Sequence, residues 1–177
     1  MKLSSITSYC GAAVLAVAAA LATASLSAAD SGFNSTDKSF LENAYQDGLA
    51  EVAMGRLALG KTASPDIKAF AQHMVDDHGK ANADLKTLAD SKKVAVASEP
   101  SMTDKAKAKM ADAKSGADFD KSYADSMVNA HKDAIKLFEK AAQDAGDPEV
   151  KAFASKTLPT LKMHLSMAEA LQNKVGK

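Results

Sequence analysis

Pro65-Asp66-Ile67-Lys68-Ala69-Phe70-Ala71 returns 83 residues later as Pro148-Glu149-Val150-Lys151-Ala152-Phe153-Ala154. Each copy opens a helix by the same chemistry. Ser64 and Asp147 stand at the cap position, where a side-chain oxygen accepts from free backbone N–H groups. Proline fits the first helical position, which needs no N–H donor. Asp66 and Glu149 then meet the positive end of the helix dipole. A repeated helix start, each preceded by another helical segment, predicts two helical hairpins.

The remaining boundaries follow from this pair. Ahead of the first copy, a helix is expected from about Thr36 to Gly60, capped by Ser35 or Thr36 and ended by Gly60. The first copy opens a helix over about 64–91. Ahead of the second copy, a helix is expected over about 118–145, ended by Gly146, and the last spans about 148–174. Residues 92–117 form a connector with Pro100, inside which Thr103 to Lys114 reads as a short polar helix. The fold expected is all-α: a ferritin-like four-helix bundle over residues 37–174, made of two helical hairpins joined by a long connector. A connector of 25 residues reaches about 80 Å when extended, against ~37 Å for a helix of the same length. Reach therefore leaves the topology open.

The apolar seams locate the unusual residues. On the second helix the inward positions are Ile67, Ala71, Met74, His78, Ala81, Leu85 and Leu88, at alternating spacings of four and three. On the third they are Ala124, Met127, His131, Ala134, Phe138 and Ala141. On the fourth they are Val150, Ala154, Thr157, Leu161, His164, Ala168 and Leu171. The first helix offers Leu41, Ala44, Gly48, Glu51, Gly55 and Ala58, a stripe of small residues around one carboxylate. Small neighbours permit close helix approach and burial of Glu51. His73, Asp76 and Asp77 fall off the stripe.

Glu51, His78, His131 and His164 thus put one metal-ligand side chain on each helix. Counted from the hairpin turns, all four lie roughly 18 to 27 Å along their helices, near the middle of each. Three imidazoles and a carboxylate suit Zn²⁺, Cu²⁺ or Fe²⁺. The same residues permit a second reading, a polar core network that holds register and binds nothing. Met74, Met127 and Met167 lie within a turn of the three histidines. Thioethers favour copper, but methionine at helical spacing is ordinarily adaptable core filler. Pro159 falls inside the last helix, five residues before His164, and removes one backbone hydrogen bond there.

Bulk properties narrow the class. Lys2, the apolar run Gly11 to Leu21 and the small residues Ser27-Ala28-Ala29 read as a Sec signal peptide over 1–29, cut ahead of Asp30. Residues 30–36 read as a flexible lead. The lone Cys10 lies in the leader without a good lipobox, so the mature chain has no thiolate for catalysis or disulfides. After cleavage 21 basic residues face 22 acidic ones, which argues against nucleic acid as a partner. No transmembrane span is expected in the mature chain. No Glu-x-x-His pair, serine elbow or phosphate loop is present, so no catalytic residues are assigned.

Together, Ala50-Glu51-Val52-Ala53, Phe70-Ala71-Gln72-His73-Met74-Val75-Asp76-Asp77-His78, Asp118-Phe119-Asp120-Lys121-Ser122-Tyr123, Met127-Val128-Asn129-Ala130-His131 and Lys156 to Leu165 resemble a bacterial family. It is catalogued as domain of unknown function 4142 and often labelled a predicted outer-membrane protein. The resemblance covers about residues 37–174. It implies an exported ferritin-like four-helix domain whose motifs include the positions of Glu51, His78, His131 and His164. It implies no activity, and the outer-membrane label finds no alternating barrel strands in the sequence. The expectation is a periplasmic or secreted module that holds one transition metal through a Glu/His₃ site, for metal handling or envelope stress. The alternative is a structural or interaction protein of the cell envelope, and a homo-oligomer fits either.

Overall fold

The structure is a computed structural model that describes residues 32–176; the expected signal peptide lies outside them. Among the described residues the chain is all-helical, with no strands. Five helices follow in order: α1 (Ser35–Lys61), α2 (Pro65–Ser91), α3 (Met102–Asp112), α4 (Gly116–Asp144) and α5 (Pro148–Val175). The four long helices form a bundle. α1 pairs with α2 and α4 pairs with α5 as hairpins; α1 also packs on α4, and α2 on α5. α3 lies within the connector and touches α1 and α4.

Helix starts follow the cap chemistry, with one shift. Ser64 Oγ accepts from Ile67 N, and Asp147 Oδ1 accepts from Glu149 N and Val150 N. At α1 the cap is Asn34 rather than Ser35 or Thr36. Its Oδ1 accepts from Thr36 N at 2.8 Å, and its own N–H donates to Asp37 Oδ2 at 3.0 Å. This reciprocal box meets two free donors at once, which a hydroxyl one residue later could not do. α1 runs through Gly60 and stops at Lys61, with Thr62 extended beyond it. α5 continues through Pro159 as a single helix.

The core is divided. One apolar cluster gathers Met54, Ile67, Phe70, Met74, Phe119 and Tyr123 with their neighbours. The other gathers Phe40, Leu41, Leu85, Phe138, Val150 and Leu161 with theirs. Every long helix passes from one cluster to the other across a buried polar residue of the seam, with Asn82 following His78 on α2. α1 does so at Glu51, α2 at His78, α4 at His131 and α5 at His164. These four are buried and form a polar layer between two oily halves.

Close packing of α1 on α2 depends on two glycines. A Cβ on Gly48 would stand 2.2 Å from Asn82 Oδ1, and one on Gly55 would stand 2.9 Å from the Ala71 carbonyl oxygen. At Gly55 the opposing atom is backbone, so a side chain there forces the helices apart; at Gly48 the Asn82 side chain has to swing away to admit one. The seam of α2 drifts past His78: Asn82 and Ala89 are buried, where Ala81 and Leu88 were expected to point inward. A straight helix has 3.6 residues per turn, and a strict four-three alternation loses register with it. On α5, Thr157 is only partly buried for a related reason, with its hydroxyl donating to the Phe153 carbonyl at 2.9 Å.

Candidate metal centre

The polar layer brings the three histidines into a near-equilateral triangle. Ring centroids stand 5.4 Å apart for His78 and His131, 5.2 Å for His78 and His164, and 5.4 Å for His131 and His164. One nitrogen from each ring lies within 4.8 Å of the others. Tetrahedral zinc holds its ligand nitrogens roughly 3.3 Å apart, from bond lengths of ~2.05 Å. Closing the triangle on an ion needs movements of about an ångström, within reach of small χ adjustments.

Each ring is fixed from behind. His131 Nδ1–H donates to the Met127 carbonyl at 2.9 Å. A carbonyl only accepts, so the proton is on Nδ1 and the Nε2 lone pair is free. His78 Nδ1–H donates to Glu51 Oε2 at 2.8 Å. His164 Nε2–H donates to Asp77 Oδ2 at 2.9 Å. The opposite nitrogens, His78 Nε2, His131 Nε2 and His164 Nδ1, are buried and have no hydrogen-bond partner. Metal-binding imidazoles show this division: one nitrogen to a carboxylate or carbonyl, the other to the ion.

Glu51 was expected as a fourth ligand. The bundle brings it to the cluster, where Oε2 is engaged by His78 Nδ1 and Oε1 stands 3.7 Å from His131 Nδ1. Both approaches are to nitrogens other than the free Nε2 atoms. Glu51 Oε1 itself has no hydrogen-bond partner. Asp77 was read as lying off the stripe, yet it reaches His164 from the edge of α2. Its signal was its position next to His78: adjacent helical residues point about 100° apart, so Asp77 can flank a neighbouring helix. His73 is exposed and meets only Asp77, at 3.9 Å. Met74 and Met127 lie in the apolar core, and Met167 packs against it.

The electrostatics split the histidines. Burial works to raise the Glu51 carboxyl, but the charge and hydrogen bond of His78, aided by His131 and His164, hold it below the usual range. Burial works to lower His78, but the charge and hydrogen bond of Glu51, with Asp77, raise it. His131 is lowered by burial against the pull of Glu51, with repulsion from His78 adding to the shift. Burial lowers His164 to about 4, against the Asp77 hydrogen bond and with repulsion from His78 and His131. The Glu51–His78 contact thus favours the charged form of each partner, while His131 and His164 are held towards the neutral form. Neutral imidazole is the metal-binding form. An ion at His78 Nε2 would displace a proton.

Phe70 closes the cluster on one side. Its ring lies 6.3 Å from that of His131 and 6.4 Å, edge-on, from that of His164. The aromatic wall keeps water from the imidazoles and preserves the low dielectric that makes their bare nitrogens costly.

The chain is a member of the family described as domain of unknown function (DUF4142), whose model matches residues 22–171. No curated protein matches it in sequence. Among solved structures it is similar to a DUF305 fragment from Deinococcus radiodurans, with a TM-score of 0.71 at 10% identity, covering 80% of this chain and 98% of that one. That likeness is one of fold. Among the described residues no helix is long and apolar enough to cross a membrane.

Proposed function

We propose that the protein is an exported, ferritin-like metal-binding module. His78, His131 and His164 hold one transition-metal ion, and its role is metal handling or protection of the cell envelope. The observation that carries this reading is the set of three buried imidazoles from three helices, one nitrogen of each within 4.8 Å of the others, and each ring with one nitrogen engaged and the other buried without a partner. Leaving a buried polar atom unbonded costs about 1–3 kcal/mol. Three such atoms on three neighbouring rings are hard to explain as a structural network, which would satisfy them. A cation supplies what all three lack.

The donor set fits zinc, copper or iron in the divalent state. In this arrangement Glu51 orients His78 and balances the charge of the ion, and its free Oε1 is available to the coordination sphere. Asp77 and the Met127 carbonyl fix the other two rings. Bound there, a divalent metal would supply Lewis acidity and, for copper or iron, redox capacity.

The test is metal analysis of protein purified without a histidine tag and exposed to Zn²⁺, Cu²⁺ and Fe²⁺. One ion per chain is expected in the wild type and none in His131→Ala. Failure to retain any of the three ions would sink the reading and favour a structural or interaction protein of the envelope.

A further inference from the structure

A cavity of about 280 Å³ lies between α1 and α4 and is partly covered by α3. Its rim carries Asp47, Asp133 and Lys107, all exposed, with Asp104 half-buried beside them. Its floor is formed by the buried Met127 and by Glu51. Glu51 is 5% exposed, and its Oε1 lacks a hydrogen-bond partner. Asp47 and Glu51 lie one helical turn apart and also form part of the wall of a second, inner void of about 20 Å³. That void reaches His78 and Asn82, whose Nδ2 is buried and unpartnered. It has room for about one water. These two carboxylates line both the outer cavity and the inner void.

Resting on the metal reading above, we propose that this acidic cavity is the route by which a divalent cation reaches the three imidazoles. Asp47 holds the ion at the mouth, and the free Oε1 of Glu51 passes it inward. Three observations on different scales agree. The outer cavity runs from an exposed rim to Glu51, whose carboxylate pairs with His78 and faces His131. The floor carboxylate is buried with one oxygen unengaged. The rim gathers like charge: although Asp47 is exposed as a residue, partial desolvation of its carboxyl at the cavity wall is the largest cause that raises it to about 6, and Glu51, Asp104 and Asp133 add to it against Lys107. A cation relieves that crowding. The same field repels small anions, so the cavity selects metal ions over anionic oxygen species.

Lys107 sets the sign of a second expectation. It pairs with Asp104, three residues before it on α3, at 3.1 Å and subtracts from the attraction. Its removal strengthens the funnel.

The experiment is stopped-flow loading of Zn²⁺ into metal-free protein, followed with a competing chelator dye at low and high ionic strength. Asp47→Asn and Asp133→Asn are expected to slow loading severalfold at low salt, with the difference shrinking as salt screens the rim. Release slows by the same factor, so the equilibrium affinity stays close to that of the wild type. Lys107→Gln is expected to load faster. Asp84→Asn, on the exposed face of α2, serves as control and is expected to load at the wild-type rate. Wild-type loading rates in both rim variants would overturn the route while leaving the metal site standing. A wild type that binds no Zn²⁺ at equilibrium would overturn both, and the equilibrium arm separates the two failures.

Discussion

The bundle contains two buried polar centres, and they are built by opposite rules. At one end Asp37, 1% exposed, accepts from three backbone N–H groups: Asn34 at 3.0 Å, Gly146 at 3.0 Å and Asp147 at 3.2 Å. Beside it Asp147, fully buried, caps α5 through Oδ1 and faces Lys92 Nζ at 2.7 Å through Oδ2. Both oxygens of Asp37 accept hydrogen bonds, and Asp147 Oδ2, which accepts no hydrogen bond, is neutralised by the Lys92 ammonium beside it; the knot ties the start of α1, the end of α2 and the α4–α5 turn together. At mid-bundle the histidine layer is half satisfied, with three ring nitrogens and one carboxylate oxygen bare. A completed network stabilises the fold it belongs to. A network left open on one side destabilises the fold until something outside the chain completes it.

Breaking each centre should therefore do different damage. The largest effect is expected from His131→Leu. It removes one of three ligands and should abolish stoichiometric metal binding, read by metal analysis and chelator competition. The metal-free protein should be as stable as the wild type or more so, because an apolar group of similar size replaces a buried polar one. The Met127 carbonyl keeps the ordinary helical N–H of residue 131 as donor. Loss of both metal binding and metal-free stability would make the histidine layer a structural network like the knot.

Asp37→Ala is the converse. It strands the N–H groups of Asn34, Gly146 and Asp147 and should lower the unfolding free energy by about 3 kcal/mol in denaturant titration. Metal stoichiometry should stay at one ion per chain. A variant that lost its metal while still folded would show that the two centres are coupled.

Acid separates them more gently. His164 is neutral in the fold down to about pH 4, whereas in the unfolded chain it takes a proton near pH 6.5. The unfolded state binds more protons between those values, so stability is intact above about pH 6.5 and falls as pH drops towards 4. The full loss for His164 is on the order of 3 kcal/mol. His131 is lowered as well and works in the same direction. His78 is raised, so its contribution is intact throughout this acid window and fades only as pH rises through its folded value. Metal-free protein should therefore melt progressively lower from pH 6.5 to 4, and His164→Gln should flatten that slope. An unchanged slope in the variant would mean that His164 does not sit neutral in the fold.

Much of this arrangement was legible in the sequence, and the misses share a cause. The repeated Ser/Asp-Pro starts and the four-three seams place four long helices and put Glu51, His78, His131 and His164 inside. Side chains that reach across between elements were invisible to the seams. Asp37 reads as an ordinary first-turn acid, and only the close passage of the α4–α5 turn makes it the centre of a knot. Asn82 is buried because the α2 seam drifts at 3.6 residues per turn. Asp77 and Asp47 lie off the stripes, and their partners come from α5 and from the crossing of α3 over the cavity mouth. A seam count shows which face of a helix is buried. It does not show which flank meets another helix.

Asp77 gives the smallest and sharpest comparison. It is partly exposed, so Asp77→Asn costs the fold little, and an amide oxygen can still accept from His164 Nε2–H. What changes is the charge behind the ring. A carboxylate makes imidazole a better donor to a metal and fixes its tautomer, and loss of such a partner weakens metal binding by roughly 10- to 100-fold. Asp77→Asn should fall near the lower bound, about tenfold, because the hydrogen bond survives. Asp77→Ala, which also frees the ring, should fall nearer the upper one. The contrast is with Lys92→Met at the knot, where a charge behind a buried group is also removed. That change should lower stability and leave metal affinity untouched. Zinc affinity by chelator competition, set beside denaturant midpoints for all three variants, resolves the two centres. Equal zinc affinity in the wild type and both Asp77 variants would remove Asp77 from the site and leave His164 oriented by packing alone.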